Sequence, residues 1–391
     1  MYGVDVTAPL DGVIVVALEQ AVAAPLATRH LADLGAIVLK VERPGVGDFS
    51  RSYDTKMNGA STFFVWANRG KQSIELDLKA TDDRATFDAL IAGADVFIQN
   101  LSAAAGVRAG VDADALHALH PHLIACEITG YGRGGPRTDD KAYDLAIQAE
   151  AGAMSLTGSA DEISKVGFSA ADIAAAMYAL SSTLAALYRR SVTGAGAAIS
   201  ISMLECLTEW TAPAIYSAAH TGVVPERAGH RHALIAPYGL YPLSDGSSVL
   251  VAVQSNPEWA SFATTVLDDG SLVDDLRFID NQDRIRNVAD LEASIVATFH
   301  AFEPREIERR LDAARIAWAR VRDPLEVWGH EQLAARNRCV EVRHPEGSAT
   351  MFRPPFDIDG VPDARPFAPA LGEHDPSLLD EIVERGRSTG R

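Results

Sequence analysis

One acidic residue, Asp172, stands at the entrance of a long apolar segment and is the first candidate for a chemical role. Residues 165–190 read KVGFSAADIAAAMYALSSTLAALYRR, and small or apolar residues recur at helical spacing over 173–187. Gly167 and Ser169 are flexible or capping residues, so the pattern predicts Asp172 in the first turn of a helix. The helix dipole favours an ionised carboxylate there, which makes Asp172 a candidate nucleophile. The alternative is that Asp172 only stabilises the start of the helix, as acids in first turns often do.

Basic residues that lie near predicted strand ends are candidates for binding an anion. The stretches RPGVGDFSR and WANRGKQSIELDL contain Arg43, Arg51, Arg69 and Lys71. Cations of this kind suit phosphate groups. The alternative is that each of them is a solvated surface charge, the usual position of Arg and Lys in proteins.

The elements that would position these residues begin with a strand, a helix and a second strand. Residues 11–19 (DGVIVVALE) are rich in β-branched side chains, which is typical of a buried parallel strand. Pro25 opens an amphipathic helix that ends at Gly35, and residues 36–42 form the next strand. This order predicts a parallel sheet. A nicotinamide-dependent oxidoreductase would carry G-x-G-x-x-G at the first turn, where this chain reads EQAVAAP.

The same alternation continues along the first half of the chain. Strands are predicted over 66–78 and 94–100, and a strand followed by a glycine turn over 123–132. Helices are predicted over 80–91 and 112–119, and a further strand and helix from 197 onward. Ligands of open parallel sheets gather at the carboxyl ends of the strands. Asn100, which ends one of these strands, is therefore predicted at the binding edge.

Composition limits the classes of partner. The chain has 391 residues, 47% of them hydrophobic and 23% charged, which is typical of a globular protein with about two or three domains. The net charge of −18 argues against nucleic acid and anionic membranes as partners. Three scattered cysteines predict neither disulfides nor a zinc site, and no metal is expected. Because no signal segment or spanning stretch is recognised, a cytoplasmic location is expected.

Several stretches, taken in order, carry a specific resemblance. They are VVALEQAVAAPLATRHLADLGAIVLKVERPGVGDFSR, NRGKQSIELDLK, ADVFIQN, EITGYGRGGP, AYDLAIQAEAGAMSLTG, the Asp172 segment and PALGEH. Together they resemble the family III CoA-transferases, the formyl-CoA transferase and carnitine-CoA transferase type, from Leu10 to His374. The family's nucleophile is an aspartate in a G-x-x-x-x-D-x-x-x-x-M-like helix entrance. The resemblance therefore implies that Asp172 is the nucleophile.

The resemblance also implies which residues hold coenzyme A, which would be a substrate rather than a tightly bound cofactor. The implied residues are Arg43, Leu76, Asn100, Arg108, Lys141 and Tyr143. Two departures from the family pattern affect the site. The chain reads NLSAA from Asn100, where many members have N-F-x-P-G, and Val22 stands where the best-studied type has a glutamine near the thioester.

The chemistry expected of such a site needs neither a metal nor a general base. A carboxylate that is ionised near pH 7 attacks a thioester carbonyl directly and forms a mixed anhydride with release of CoA thiolate. The thiolate then forms an aspartyl-CoA thioester, and an acceptor acid repeats the steps in reverse. Backbone amides at the start of the Asp172 helix are the expected oxyanion donors.

The resemblance implies a large Rossmann-like parallel-sheet α/β domain over 1–220, completed by 325–391, and a small α+β domain over 225–322. The small domain is predicted to begin with a hairpin whose turn contains Asp245 and Gly246. Relatives form an interlocked homodimer, so a homodimer is expected. Residues 220–239 form a linker or binding loop, in which His230, Arg231 and His232 either hold a substrate carboxylate or are solvated.

Other functions remain open from the sequence. A 2-methylacyl-CoA racemase of the same fold would place a histidine before the acid of the motif that here reads Tyr143-Asp144. A non-catalytic CoA-binding protein would not need Asp172. Among transferases, the H-x-x-I-A-P-Y-G type of loop favours short dicarboxylates such as succinate, mesaconate or citramalate. The stretch VQSNPEW has no glycine-rich gate of the oxalate-using type, which disfavours oxalate.

Overall fold

Six parallel strands form the central sheet of the larger of two units. The computed structural model describes residues 8–359, 361 and 365–388. Unit 1 comprises Met1–Ala153, Lys165–Ile215 and Leu333–Arg391, and unit 2 comprises Met154–Ser164 and Tyr216–Gln332. The strands of the sheet are β1 (Ile14–Leu18), β2 (Ile37–Glu42), β3 (Gln72–Glu75), β4 (Val96–Gln99), β5 (Ile124–Thr129) and β6 (Ala197–Ser202).

The strand order is β3-β2-β1-β4-β5-β6, and every neighbouring pair is parallel. This is the order of a doubly wound Rossmann sheet, in which the crevice for a ligand opens between β1 and β4, where the direction of winding reverses. The central strands β1, β4 and β5 are almost entirely buried between the helices, which explains the apolar character of β1 and β4. The edge strands β3 and β6 are more polar and partly exposed. The predicted α/β class with a Rossmann-like sheet is confirmed.

Among the described residues, eight helices lie between these strands in the chain, and a ninth follows the last of them. They are α1 (Ala23–Asp33), α2 (Thr62–Asn68), α3 (Thr81–Gly93), α4 (Ala103–Ala109), α5 (Ala113–Leu119), α6 (Asp144–Glu150), α7 (Ala153–Leu156), α8 (Ala170–Thr193) and α9 (Met203–Thr221), with a 3₁₀ turn at Phe49–Ser52. The prediction of a strand beginning at Trp66 is wrong, because Trp66 lies in α2. The Ser61 hydroxyl accepts a hydrogen bond from the Phe64 amide and starts this helix.

Helix α8 is long and apolar enough to span a bilayer by length and composition. Half of its most apolar window is buried inside the protein, where it packs against α1, α6, β5 and β6. Core helices of soluble proteins meet the same criterion, so the composition of α8 follows equally from its place in the core.

Unit 2 is built on a three-stranded antiparallel sheet. Its strands are β7 (Tyr238–Pro242), β8 (Ser248–Ala252) and β9 (Ala317–Arg320), and its helices are α10 (Asn256–Ser261), a π turn at Phe262–Val266, a 3₁₀ turn at Gly270–Val273, α11 (Asn281–Arg286), α12 (Val288–Ala301), α13 (Pro304–Ala313) and α14 (Pro324–Trp328). Asp245 and Gly246 lie in the turn between β7 and β8, as the hairpin prediction requires. Trp259, Phe262 and Phe299 fill the core of this α+β unit.

The C-terminal part of the chain returns to unit 1. After α15 (Glu331–Ala335), β10 (Cys339–His344) and β11 (Gly347–Phe352) form an antiparallel hairpin, and α16 (Pro376–Ser388) packs on α3. The two helices approach so closely that a Cβ at Gly93 would lie 1.9 Å from the Ile382 carbonyl oxygen. Only glycine fits there.

The segment that precedes α16 runs along the outer side of β3. The Ser73 amide donates to the Glu373 carbonyl at 2.8 Å, and the Gly70 amide donates to the Phe367 carbonyl at 2.5 Å. The Asp375 amide donates to the Gln72 side chain at 2.8 Å. Strand β3 is the last strand of the sheet on this side. The tail therefore satisfies backbone groups that an edge strand would otherwise leave open.

Candidate active site

Helices α1 and α8 lie side by side and begin at the same edge of the sheet. Each runs back from the carboxyl edge and leads into a strand of the parallel sheet, β2 for α1 and β6 for α8, so both first turns lie at the carboxyl ends of the strands. Alanines of the two helices share one core, among them Ala24 of α1 and Ala171 of α8. These small side chains allow the close contact that brings the first turns together.

Asp172 lies in the first turn of α8, as predicted. Its side chain is partly buried, and within the described residues its carboxylate has no hydrogen-bond or ion-pair partner. Burial, together with the negative charge of Asp144, raises the pKa of Asp172 to about 7. The expectation of a fully ionised nucleophile at pH 7 is wrong, because these two effects outweigh the helix dipole.

This raised pKa predicts that Asp172 destabilises the folded protein in alkaline solution. The ordinary value is 3.8, so between about pH 4 and pH 7 the folded state keeps a proton that the unfolded chain has lost. Stability therefore falls as the pH rises through this window, and the whole cost, about 2 kcal/mol after allowance for partial exposure, is present above pH 7. We expect Asp172→Asn to unfold at a higher temperature than the parent at pH 8.

Thermal unfolding of the parent and Asp172→Asn at pH 4.5 and pH 8 tests this expectation. The difference in Tm should be several degrees at pH 8 and should be much smaller at pH 4.5, which is close to the lower end of the window. An equal difference at the two pH values would show that Asp172 has an ordinary pKa.

The backbone amides at the start of α8 are already engaged. The Asp144 carboxylate accepts hydrogen bonds from the Ala171 amide at 2.8 Å and from the Asp172 amide at 3.3 Å. The expectation that such amides act as oxyanion donors is therefore wrong for these two. Helix α1, in contrast, has no side-chain cap on Val22 and no acid in its first turn. Its positive end is open to a developing negative charge.

Tyr53 is a residue of this site that the sequence did not indicate. Burial and the negative charges of Asp48 and Asp172 raise its pKa to about 12, and Tyr143 also contributes. The Tyr53 hydroxyl is therefore a proton-bearing donor near Asp172 throughout the physiological range. The charges of Asp48 and Asp172 both act on Tyr53, and Asp48 lines a cavity at the same edge of the sheet.

That cavity has a volume of about 450 Å³ and lies at the carboxyl ends of β1 to β4. Its lining includes three of the residues expected to hold coenzyme A, namely Arg43, Leu76 and Arg108. The structure also adds Lys79 and Arg84. Lys79 is the last residue of the NRGKQSIELDLK stretch and follows β3 by four positions. A cation shortly after a predicted strand is a sequence signal that could have identified Lys79 as a candidate phosphate ligand.

The cations of this cavity differ in their availability. Arg84 hydrogen bonds Asp88 at 2.9 Å and the Ala109 carbonyl at 2.5 Å. Within the described part of the chain, the charged groups of Arg43, Lys79 and Arg108 have no hydrogen-bond or ion-pair partner. Three unpaired cations around one cavity suit an anion that carries several phosphate charges.

The remaining residues predicted to contact coenzyme A lie beside this cavity or outside it. Asn100 spans the crevice between β1 and β4, because its side chain accepts from the Gln20 amide at 3.0 Å and donates to the Gln20 carbonyl at 2.8 Å. Its amide group thus fixes the loop that leads into α1. Lys141 and Tyr143 are exposed in the loop before α6.

Three other cations predicted near strand ends are committed to ion pairs. Arg51 binds Glu42 at 2.6 Å, Arg69 binds Asp33 at 3.2 Å, and Lys71 binds Glu19 at 2.6 Å. The interpretation of these three residues as phosphate ligands is wrong. The sequence could not show this, because their acidic partners lie 9 to 52 positions away.

The Lys71 and Glu19 pair belongs to a buried network that shapes the loop before α1. The fully buried Lys40 ammonium donates to Asp48 at 2.9 Å and to the Glu19 carbonyl at 3.2 Å. Burial disfavours the charged form of Lys40, but Glu19 and Asp48 outweigh it and raise its pKa. Asp48 in turn accepts from the Ala21 amide at 3.1 Å. Ala21 has a φ of 64°, a conformation unusual for a residue other than glycine.

The three residues expected to hold a substrate carboxylate lie in unit 2. The Arg231 guanidinium lies 3.6 Å from the Glu292 carboxylate, and His232 stacks on Tyr238 with ring centroids 5.1 Å apart. His230, Arg231 and His232 are all exposed. The loop that follows is anchored by the buried Arg284, which donates to the Ala236 carbonyl at 2.7 Å.

Known proteins resemble this chain along nearly its whole length. Residues 10–375 match the model of CoA-transferase family III. The acetyl-CoA:oxalate CoA-transferase of Acetobacter aceti is 32% identical, and the alignment covers 96% of each chain. The succinate–glutarate CoA-transferase of Agrobacterium fabrum is 31% identical, with coverage of 96% of this chain and 97% of the relative.

A solved structure agrees with these sequence relationships. The crystal structure of a CAIB/BAIF family protein from Brucella suis is 31% identical, with a TM-score of 0.82 and coverage of 96% of this chain and 99% of that one. The fold and the matched residues 10–375 both point to the same family. The chain belongs to CoA-transferase family III and is a CoA-transferase.

Proposed function

We propose that this CoA-transferase moves CoA from an acyl-CoA thioester to a short dicarboxylic acid, with Asp172 as the nucleophile. The proposal rests on a carboxylate in the first turn of α8 that has no hydrogen-bond or ion-pair partner among the described residues. The same edge of the sheet carries a cavity with three cations that are likewise without a partner in the described part of the chain. A carboxylate that served only to stabilise the helix would hydrogen bond the amides of its first turn, and Asp144 already does so.

The proposed reaction begins when the Asp172 carboxylate attacks the carbonyl carbon of the acyl-CoA. The carbon–sulfur bond breaks, CoA thiolate leaves and a mixed anhydride forms. The thiolate then attacks the aspartyl carbonyl, which releases the donor acid and leaves an aspartyl-CoA thioester. The acceptor carboxylate attacks the carbonyl of this thioester, whose carbon–sulfur bond breaks, so a second mixed anhydride forms and CoA thiolate is released again. The thiolate finally attacks the acceptor's acyl carbon in this anhydride and breaks its bond to the Asp172 oxygen. This last step releases the new acyl-CoA and restores Asp172.

The first turn of α1 and the Tyr53 hydroxyl would stabilise the oxyanions of these steps. Both lie on the carboxyl edge of the sheet with Asp172. Helix α1 presents the positive end of its dipole, and Tyr53 presents an O–H donor. One thioester replaces another, so the overall exchange is nearly thermoneutral. The protein therefore contributes mainly position and electrostatic stabilisation.

Coenzyme A would lie in the cavity at the ends of β1 to β4. The unpaired charges of Arg43, Lys79 and Arg108 would hold its phosphates, and Leu76 would contact its apolar parts. Asn100 would act through the Gln20 loop that it fixes. We keep the exposed Lys141 and Tyr143 as further contacts, since Tyr143 shares the electrostatic environment of Tyr53.

The acceptor class is proposed from the relatives and from the loop of unit 2. The relatives carry names with oxalate, glutarate, mesaconate or citramalate as the acid. The loop residues His230, Arg231 and His232 would hold the distal carboxylate of such an acid. A carboxylate that binds Arg231 would have to compete with Glu292, which suggests that this ion pair opens when the acceptor arrives.

A panel assay distinguishes the transferase from the racemase. We expect purified protein with succinyl-CoA or acetyl-CoA to form new acyl-CoA products from C4 and C5 dicarboxylates, detected by mass spectrometry. Monocarboxylates should react more slowly, and oxalate belongs in the panel because a relative is named for it. Product formation from none of the acids would contradict the proposed acceptor class.

The same protein should not exchange the α-proton of a 2-methylacyl-CoA in deuterium oxide. A racemase needs two acid/base groups, and Tyr143 stands where the second one would be. Tyrosine is a poor base for this purpose, because the reference pKa of a phenol side chain is about 10. Deuterium incorporated at the α-carbon as fast as CoA is transferred would overturn the assignment in favour of the racemase. A parent protein that binds CoA but shows neither CoA transfer nor α-proton exchange would favour a CoA-binding role.

We also propose a homodimer in the cytoplasm. Exposed apolar side chains on α8 and α9, including Tyr188, Val192 and Trp210, support an interface with a second copy. The free thiols of Cys126, Cys206 and Cys339 fit a reducing compartment. Analytical ultracentrifugation gives the oligomeric state directly.

A further inference from the structure

The start of α8 is capped from outside the helix. Ser169, the residue that precedes it, makes no capping hydrogen bond with its side chain. Asp144, the first residue of α6, takes that place through its hydrogen bonds with the Ala171 and Asp172 amides. The backbone of the proposed nucleophile is therefore fixed by a residue 28 positions earlier in the chain.

Gln148 holds Asp144 in this position. Its side chain is 1% exposed and uses both ends of its amide. The nitrogen donates to the other Asp144 oxygen at 2.7 Å and to the Phe168 carbonyl at 3.2 Å. The oxygen accepts from the Val166 amide at 2.9 Å. One buried amide thus ties Asp144 to the segment that leads into α8.

We propose that Asp144 and Gln148 are positioning residues for CoA transfer, which hold the first turn of α8 so that Asp172 meets the thioester carbonyl. The inference rests on the proposed role of Asp172. A nucleophile and a carbonyl must approach in one geometry, and a displacement of about 1 Å can slow a reaction by about 100-fold. The first turn of α8 is partly exposed and receives no capping hydrogen bond from Ser169, so by itself it would not hold Asp172 in one geometry.

Asp144 also places a negative charge beside the nucleophile. Among the described residues it is the one charged group that raises the pKa of Asp172, in addition to burial. Other ionisable groups on the elements around α8 are not among the causes of this shift. They are Arg29, His30 and Asp33 on α1, Cys126 and Glu127 on β5, Glu150 on α6 and the nearby Tyr53. Strand β6 carries no ionisable residue. The effect of the Asp144 charge on the pKa of Asp172 can therefore be measured separately from the effect of the hydrogen bonds between Asp144 and the α8 amides.

The first variant is Asp144→Asn, which keeps an oxygen for the two amides of α8 and removes the charge, while a nitrogen donor replaces the oxygen that accepts from Gln148. We expect the acid limb of its kcat profile to move to lower pH by about one unit, because Asp172 then ionises more easily. Asp144→Ala removes the hydrogen bonds as well. We expect its kcat to fall about 10- to 100-fold, with KM for acyl-CoA within about twofold of the parent. Asp82→Asn makes the same change in the first turn of α3 and serves as the matched control.

The pair Gln148→Glu and Asp144→Asn/Gln148→Glu tests the contact itself. Gln148→Glu replaces the donating nitrogen with a carboxylate oxygen that repels the Asp144 oxygen. We therefore expect kcat to fall about tenfold. In the double variant the amide nitrogen introduced at position 144 can donate to the carboxylate introduced at position 148, whose other oxygen still accepts from the Val166 amide. We expect kcat to recover severalfold relative to the single variant.

The outcomes separate this inference from the proposed function. If Asp144→Asn keeps both the parental pH profile and the parental kcat, and Asp144→Ala changes only Tm, the residues are merely structural and the inference is wrong. If Asp172→Asn retains activity, the proposed nucleophile itself is wrong, whatever the Asp144 variants do. Circular dichroism confirms that each variant compared is folded.

Discussion

Asp172→Ala and Asp172→Asn are each expected to reduce CoA transfer by about three orders of magnitude or more, while CoA still binds. Removal of a nucleophile takes away the covalent route, and substitutions of this kind in other enzymes cost several powers of ten. The cavity with Arg43 and Arg108 remains intact, so the affinity for CoA measured by calorimetry should change little. Asn is the cleaner replacement because it preserves the shape of the side chain.

Mass spectrometry of the intact protein gives an independent readout. With an acyl-CoA donor alone, the parent should accumulate an adduct on Asp172 that hydroxylamine removes, and Asp172→Asn should show none. A variant that retained more than about a tenth of normal turnover would refute the nucleophile assignment. If Asp172 only stabilised the helix, its replacement would cost about 1 kcal/mol of stability and no catalysis.

The second large effect is expected at Lys40. Lys40→Met removes the cation that neutralises buried Glu19 and Asp48, and breaking a buried ion pair from one side costs about 3–5 kcal/mol. We therefore expect the unfolding midpoint in urea, followed by circular dichroism, to fall strongly. The fall in the urea midpoint should be smaller in Lys40→Met/Asp48→Asn. In that double variant the Asp48 carboxylate, which would otherwise be buried without its cation, is replaced by a neutral amide.

An exposed ion pair provides the control for this experiment. Arg277→Ala removes a contact with Asp275 on the surface of unit 2, where solvent screens the charges, and its midpoint should stay close to that of the parent. A Lys40→Met protein as stable as this control would mean that the buried network contributes no net stability. The network would then serve only to fix Ala21 and the loop before α1.

The sheet could be predicted because its signals are local. Residues 11–19 and 36–42 carry buried β-branched runs with a helix between them, and β1 and β2 lie within those ranges. The segment around Trp66 was misassigned because the run from Phe63 to Trp66 is apolar without a clear period. A short apolar run of this kind fits a strand or a buried helix equally well.

The site could be predicted only in part for a related reason. Asp172 was found because its helix begins at a local sequence signal, and the resemblance added Arg43, Leu76 and Arg108. The capping of α8 by Asp144 and the approach of Tyr53 to Asp172 depend on contacts between distant parts of the chain. Burial, which raises the pKa of Asp172, is likewise a property of the folded protein that spacing does not reveal.

The tail along β3 has a consequence for the order in which the protein is made. His374 contacts the Ser73 carbonyl 301 positions earlier in the chain. A ribosome that adds about 5–20 residues per second needs roughly 15–60 s to synthesise the intervening segment. Throughout that time the nascent sheet has an unpaired edge, to which another unfinished chain can add a strand. In newly synthesised copies on the same polysome, the edge of β3 is therefore covered only after residues 367–375 have emerged from the ribosome.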